Sequence, residues 1–151
     1  MATNVSIRNK KASFLYEFID TLVAGVVLTG TEIKSIRNSK ANINDAYCLF
    51  IDNELWVRGM HISAYEQGGH YNHEPKQDRK LLLKIKELNK LEGKLKDRGL
   101  TIIPIKLFLT GKGWAKIEIA LAKGKKIHDK REDLKTKDSK REMDRIKVGK
   151  Y

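Results

Sequence analysis

Leu121-Ala122-Lys123-Gly124-Lys125-Lys126-Ile127-His128-Asp129-Lys130-Arg131-Glu132 divides the chain. Upstream of it, short apolar runs alternate with turn residues, the pattern of a β-rich body. Downstream, residues 123–151 carry twelve Lys and Arg against six Asp and Glu, and Leu134, Met143, Ile146 and Val148 are too sparse for a core. A segment with so little apolar surface cannot offset the entropy of folding alone. The expected organisation is a body over residues 1–122 and a basic tail over 123–151, disordered when free and helical on a partner.

Charge narrows the partner. The 151 residues have a formal net charge of +12, half of it in that tail, with 33% charged residues of both signs. Such an excess is a surface field suited to a polyanion: nucleic acid first, a membrane surface second. The first residues lack the apolar core of a secretory leader, and no apolar run approaches a membrane span. A soluble, cytoplasmic protein without membrane partners is expected. The single cysteine, Cys48, excludes an internal disulfide and lies in the apolar run Tyr47-Cys48-Leu49-Phe50-Ile51, so a buried, inert thiol is expected there.

Working back through the body, 14–20 and 22–28 read as two strands joined at Thr21, with Gly25 marking a bulge or bend. At 30–37 the period changes to that of a short helix, with Thr31 as its cap and Glu32 in the first turn, where the dipole favours an anion. Residues 46–51 and 54–58 form a hairpin around Asp52-Asn53. After a loop at 66–77, leucines and isoleucine at 81, 85, 88, 91 and 95 give a helical stripe over about 80–97, stopped by Gly99, with Leu82 and Leu83 off the stripe. Strands at 100–109 and 114–121 follow, turning at Gly111-Lys112-Gly113, and Pro104 demotes the first to an edge or bulged position. The sum is mainly β: a six-stranded OB-type closed barrel with a short helix and one long helix, a fold whose face and loops bind oligonucleotides.

Catalytic and metal signals are weak. His70 and His73 stand at His-x-x-His spacing near His61 and Glu66, but in a polar loop they read as exposed histidines. Gly111-Lys112-Gly113 lacks the spacing of a phosphate loop. No cofactor, metal site or catalytic residue is expected. Cationic clusters are stronger, at Arg8-Asn9-Lys10-Lys11, Lys34 to Lys40, Arg79-Lys80 and the tail, where Lys and Arg contact phosphates. Tyr16, Tyr47, Trp56, Tyr65, Tyr71 and Trp114 are stacking candidates, although core packing competes for those on strands. Two rival readings are a metal-dependent RNA-processing enzyme using the His70/His73 loop and a generic single-strand binder.

Four blocks in order, Asn9-Lys10-Lys11-Ala12, Gly30-Thr31-Glu32-Ile33-Lys34-Ser35-Ile36-Arg37, Arg79-Lys80-Leu81-Leu82-Leu83 and Ala122 to Glu132, resemble the signature blocks of the bacterial SsrA-binding protein (small protein B) family. The resemblance implies an RNA-binding adaptor that is not an enzyme. It would bind the tRNA-like domain of transfer-messenger RNA, charged with alanine and carried with elongation factor Tu. It would bring that RNA to stalled ribosomes for trans-translation, with the tail entering the decoding centre and the empty mRNA channel. The RNA-binding positions so implied are Asn9, Lys10, Lys11, Glu32, Lys34, Ser35, Arg37, Arg79, Lys80 and Leu82. The ribosomal tail positions are Gly124, Lys125, Lys126, His128, Lys130 and Arg131, with His128 stacking on a ribosomal RNA base. Val23 and Gln77 depart from the family pattern, which often has an acidic residue and an arginine at those places.

Overall fold

Residues 5–96 and 99–125 are described in a computed structural model. The elements are β1 (Ser6–Arg8), α1 (Ala12–Leu15), β2 (Tyr16–Val26), α2 (Gly30–Arg37), β3 (Ala41–Asn42), β4 (Tyr47–Ile51), β5 (Glu54–Arg58) and β6 (His61–Ile62). A 3-10 turn at Gly69–Tyr71 precedes β7 (Arg79–Leu82), α3 (Ile85–Lys94), β8 (Leu100–Leu109) and β9 (Ala115–Gly124). The described body is mainly β, as expected.

All strand pairings among the described residues are antiparallel. They run β1-β8-β4-β5-β7-β2-β9, and β9 also pairs with β8, so the pairings return to β8 after six strands. β3 and β6 form a separate two-stranded ribbon. Ile102, Leu107, Ile117, Ile119, Leu55, Val57 and Leu81 point inward from four of those strands, and Ile36, Met60 and Leu91 join the same core. Antiparallel strands with one buried face alternate in this way because successive side chains point to opposite sides.

Several sequence expectations hold. Asp52 and Asn53 both take positive φ, 51° and 66°, the geometry of a two-residue hairpin turn whose twist matches the flanking strands. Cys48 is buried, and burial pushes its thiol pKa up. Pro104 sits at the register shift between β8 and β9, and β8 is not an edge strand there. The bulge spares the ladder the donor that proline lacks.

Other expectations are corrected. The break at Thr21 is absent: β2 runs unbroken for 11 residues, and its bulge falls between Phe18 and Asp20 instead of at Gly25. Phe14 belongs to α1. The long helix at 80–97 divides into strand β7 and the ten-residue α3. Strand geometry wins over the leucine spacing at 79–82 because β7 finds partners on both sides, β5 and β2, which satisfies its backbone groups. Leu81 is then buried as a strand residue, and Ile85 is exposed although it lies on the helical stripe. Lys84 is extended and its N–H bonds to Glu87 Oε1 at 3.0 Å, starting α3 afresh. α3 is drawn onto β2 by Lys90 and Lys94, 3.5 and 3.8 Å from the Asp20 carboxylate, and by buried Leu91.

β9 carries the body through Gly124, which pairs with Tyr16, and the Lys125 N–H bonds to the Leu15 carbonyl at 3.0 Å. Lys126, His128, Lys130 and Arg131, and the expected disorder of the tail, lie outside the described residues.

Candidate nucleic-acid interface

The start of α2 is braced by several buried hydrogen bonds. Thr29, not Thr31, is the cap: its hydroxyl accepts from the Glu32 N–H at 3.4 Å, and Glu32 Oε1 accepts from the Thr29 N–H at 2.8 Å. This reciprocal box satisfies two donors that a helix start leaves open. The other Glu32 oxygen takes Arg79 Nε at 2.6 Å and Gln77 Nε2 at 3.1 Å. Glu32 and Arg79 side chains are each only 1% exposed. Burial alone pushes the Glu32 carboxyl pKa up, but the Thr29 backbone bond, the Arg79 guanidinium and the Gln77 amide outweigh it and hold it below the usual value.

Arg79 then spends its remaining donors on carbonyls. Nη1 reaches Met60 at 2.5 Å, and Nη2 reaches Glu74 at 3.1 Å and Pro75 at 3.0 Å. The 63–78 loop is thereby tied to β7 and, through Glu32, to α2. His73 adds a second tie. It is buried, with Nε2 donating to the Ile62 carbonyl at 2.8 Å and Nδ1 2.9 Å from the Thr31 hydroxyl. A neutral ring protonated at Nε2 accepts from Thr31 through Nδ1. His73 is therefore not the exposed loop histidine expected, and both nitrogens that a metal would need are taken. No group of three or more His, Cys, Asp and Glu is placed to hold a metal among the described residues.

The implied RNA-binding residues separate by burial. Glu32, Ser35 and Arg79 face inward, Ser35 donating to the Ser63 carbonyl at 2.7 Å. Lys10, Lys11, Lys34 and Arg37 are exposed, and Leu82 is 52% exposed. Lys80 is half-buried and pairs with Glu54, and Lys11 lies 3.4 Å from Asp45. Asn9 is turned inward on its own chain: Nδ2 donates to the Pro104 carbonyl at 2.9 Å, and Oδ1 accepts from the Lys11 N–H at 3.2 Å. That contact fixes how β1 hands over to α1 and so where Lys10 and Lys11 emerge. Lys125 is tied in beside them, its Nζ donating to the Ser13 carbonyl at 2.9 Å.

On the far side of α2, Lys34 sits 5.5 Å from the centroid of the Tyr65 ring. A cleft of about 410 Å³ opens next to it, lined by Ser35, Asn38, Lys40, Ser63, Tyr65 and Gln67. Sequence reasoning did not find this cleft, because it depends on where the 63–78 loop folds back. Among the aromatic candidates, Tyr71 and Trp114 are the most exposed.

A mainly β body with exposed lysines and arginines, positioned by internal carboxylate and amide contacts, presents the kind of cationic surface that suits a polyanion. Comparison with known proteins gives the particular family. The model of the SmpB protein family matches residues 6–148. The SsrA-binding protein of Cytophaga hutchinsonii is 59% identical over 145 residues, 96% of this chain and 95% of the relative. That of Phocaeicola vulgatus is 59% identical over 144 residues, 95% and 96% of the two chains. A solved structure described as "tmRNA-SmpB: a journey to the center of the bacterial ribosome" superimposes with a TM-score of 0.71 at 38% identity, covering 86% of this chain and 94% of the other. The chain belongs to the SmpB, or SsrA-binding protein, family.

Proposed function

We propose that the protein is the adaptor that binds the tRNA-like domain of transfer-messenger RNA and delivers it to stalled ribosomes for trans-translation. The observation that carries this reading is the family match across residues 6–148, together with likeness to a structure described as tmRNA-SmpB on the bacterial ribosome. The body is an OB-type closed barrel built on the six-strand cycle of pairings, and it works in the cytoplasm without catalysing a reaction. Lys10, Lys11, Lys34, Arg37, Lys80 and Leu82 meet the RNA. Asn9, Glu32, Ser35 and Arg79 hold those residues in place from below. The body, expected over 1–122, extends to Gly124 at the end of β9, and the tail expected over 123–151 follows it. Gly124, Lys125, Lys126, His128, Lys130 and Arg131 act in the decoding centre and mRNA channel. Elongation factor Tu accompanies the alanylated RNA.

A competition gel shift tests the reading. Labelled tRNA-like domain is challenged with excess ordinary tRNA and with single-stranded RNA at one fixed salt concentration, because electrostatic affinity falls steeply with salt. Binding should survive both competitors. Equal displacement by either would leave only non-specific charge attraction.

A further inference from the structure

The loop between β6 and β7 is braced along most of its length. Asn72 clips its two limbs together: Oδ1 accepts from the Tyr65 N–H at 2.9 Å, and Nδ2 donates to the Tyr65 carbonyl at 2.6 Å. The same carbonyl accepts from the Gly68 N–H at 2.9 Å, and the Gly68 carbonyl accepts from the Tyr71 N–H at 3.1 Å. A Cβ on Gly68 would stand 2.8 Å from Asn72 Nδ2 and 3.0 Å from Thr31 Cγ2, so glycine lets the loop close against α2. Gly69 takes a φ of 56°, in the left-handed region that glycine enters readily. His73 and Arg79, through the bonds given above, pin the returning limb at residues 73–75.

This ordered backbone presents a side chain that the fold itself does not use. Tyr71, on the 3-10 turn Gly69–Tyr71, is 89% exposed. Its surroundings in the chain are acidic or neutral, for residues 59–75 hold no Lys or Arg. Glu66 and Glu74 are exposed, one before the turn and one after it. Neither carboxylate has an ion pair among the described residues. In a chain of net charge +12 the loop is a local reversal of sign. Lys34 over the Tyr65 ring and Lys76 after Pro75 mark where the cationic surface resumes.

The sign of that charge selects the partner. RNA carries a phosphate on every nucleotide, and two uncompensated carboxylates in the same loop oppose its approach, so Tyr71 is poorly placed to stack on a base. Cationic side chains reverse the argument. A guanidinium or ammonium laid over a Tyr ring gains by cation–π attraction, and carboxylates close by in the loop add to it. Tyr is also among the side chains that anchor protein interfaces, and one already ordered loses little further freedom on binding. A second copy of this chain would supply cations only by bringing together two bodies of charge +12. A basic protein set in an RNA-rich assembly avoids that repulsion, because the surrounding phosphates offset both surfaces.

We propose that Tyr71, with Glu66 and Glu74 in the same braced loop, docks on a lysine- and arginine-rich protein surface of the assembly to which the RNA is delivered. The inference rests on the proposed delivery to ribosomes and adds a protein contact, opposite in sign to the RNA-binding lysines. The test uses the full chain with transfer-messenger RNA, as parent, Tyr71→Ala and the double variant Glu66→Lys/Glu74→Lys. Affinity is measured for ribosomes halted at the end of a message. Tyr71→Ala should bind them roughly ten-fold more weakly, as a lost interface anchor does. It should match the parent on the isolated tRNA-like domain, where the loop has no basic protein to meet. The double charge reversal should also weaken ribosome binding, although it raises the net charge, because like charges then face each other. With p-azidophenylalanine in place of Tyr71, photolysis of the assembled complex should join the chain to a Lys- and Arg-rich peptide of another protein.

Tighter ribosome binding by Glu66→Lys/Glu74→Lys overturns the proposal, since added cations strengthen a contact with RNA and not one with a basic protein. A photoproduct with RNA, with a second copy of the chain or with a peptide poor in Lys and Arg overturns it too, as does the absence of any photoproduct. Should a variant fail to fold, the photoproduct decides alone. A parent that shows no preference for the tRNA-like domain over single-stranded RNA overturns the functional reading, and the docking loop with it. A parent that keeps that preference and reaches the ribosome, while Tyr71→Ala matches it there, loses only the docking loop.

Discussion

Arg79 and Leu82 are three residues apart in one four-residue strand and do opposite work. Arg79 is sealed inside, holding Glu32, Gln77's partner, and three loop carbonyls, while Leu82 lies open to solvent. The same contrast separates the two regions they belong to. The α2 corner is polar, buried and saturated with hydrogen bonds. The β2 outer face is apolar, exposed and hydrogen-bonded only through its backbone. In a nucleic-acid-binding protein one expects charge outside and apolar groups within, and here each region inverts that rule. On the proposed reading the inversion is a division of labour: the buried charges fix geometry, and the exposed groups are left to meet the RNA.

The largest effect should come from breaking the corner. Glu32→Ala leaves the Arg79 guanidinium buried without its counter-charge and opens the α2 cap, which should cost about 3–5 kcal/mol of stability. Chemical denaturation monitored by circular dichroism measures it. The corner also sets an acid response. Because the folded-state pKa of Glu32 is lowered from 4.5, its contribution is complete above that value and is lost as pH falls through the folded value. The parent should therefore lose stability below about pH 4.5 more steeply than Glu32→Gln, which has nothing to protonate. Parallel acid profiles for the two would mean that the pair is not the stabilising ionic contact described.

A smaller effect is expected where the two regions' roles meet. Asn9 is implied as an RNA contact, yet both ends of its amide are bonded within the protein. Asn9→Ala deprives the Pro104 carbonyl of a donor and should cost about 1–2 kcal/mol. RNA affinity should fall with it, through displacement of Lys10 and Lys11. Asn9→Asp keeps the acceptor for the Lys11 N–H but not the donor, so only part of the loss should return. An Asn9→Ala protein with parental stability and weakened RNA binding would instead make Asn9 a direct contact.

What the sequence made legible follows the range of the interaction involved. The Asp52-Asn53 turn, buried Cys48 and the bulge at Pro104 each depend on a few neighbouring residues, and all could be read locally. The β7 strand could not: Leu81, Ile85, Leu88 and Leu91 satisfy helical spacing, and only strands β2 and β5, far away in sequence, decide otherwise. Thr31 looked like a cap because it begins the apolar period, whereas the hydroxyl two residues earlier closes the box and Thr31 serves His73. The Glu32–Arg79 pair spans 47 residues and leaves no local trace. Even Trp114, a stacking candidate on composition, acquired neighbours only through register, since a shift of one residue would turn that face inward.

The smallest effect on stability, and the sharpest control on the comparison, belongs to Lys11. Its ion pair with Asp45 spans 3.4 Å between two largely exposed side chains. Such a pair gains little in water and loses side-chain entropy, so Lys11→Ala should change stability by no more than about 0.5 kcal/mol. Its effect on RNA should be of another kind. If the Lys11 ammonium neutralises one phosphate, its removal weakens binding at low salt and flattens the salt slope by about one, because one fewer condensed counterion is released. Glu32→Ala, measured at a temperature where it remains folded, should weaken binding without that change of slope, since its side chain meets no phosphate. A flattened slope in Glu32→Ala equal to that in Lys11→Ala would dissolve the distinction between residues that position and residues that touch. A slope lost only with the exposed lysine would place the phosphate contacts on the surface and leave geometry to the buried pair.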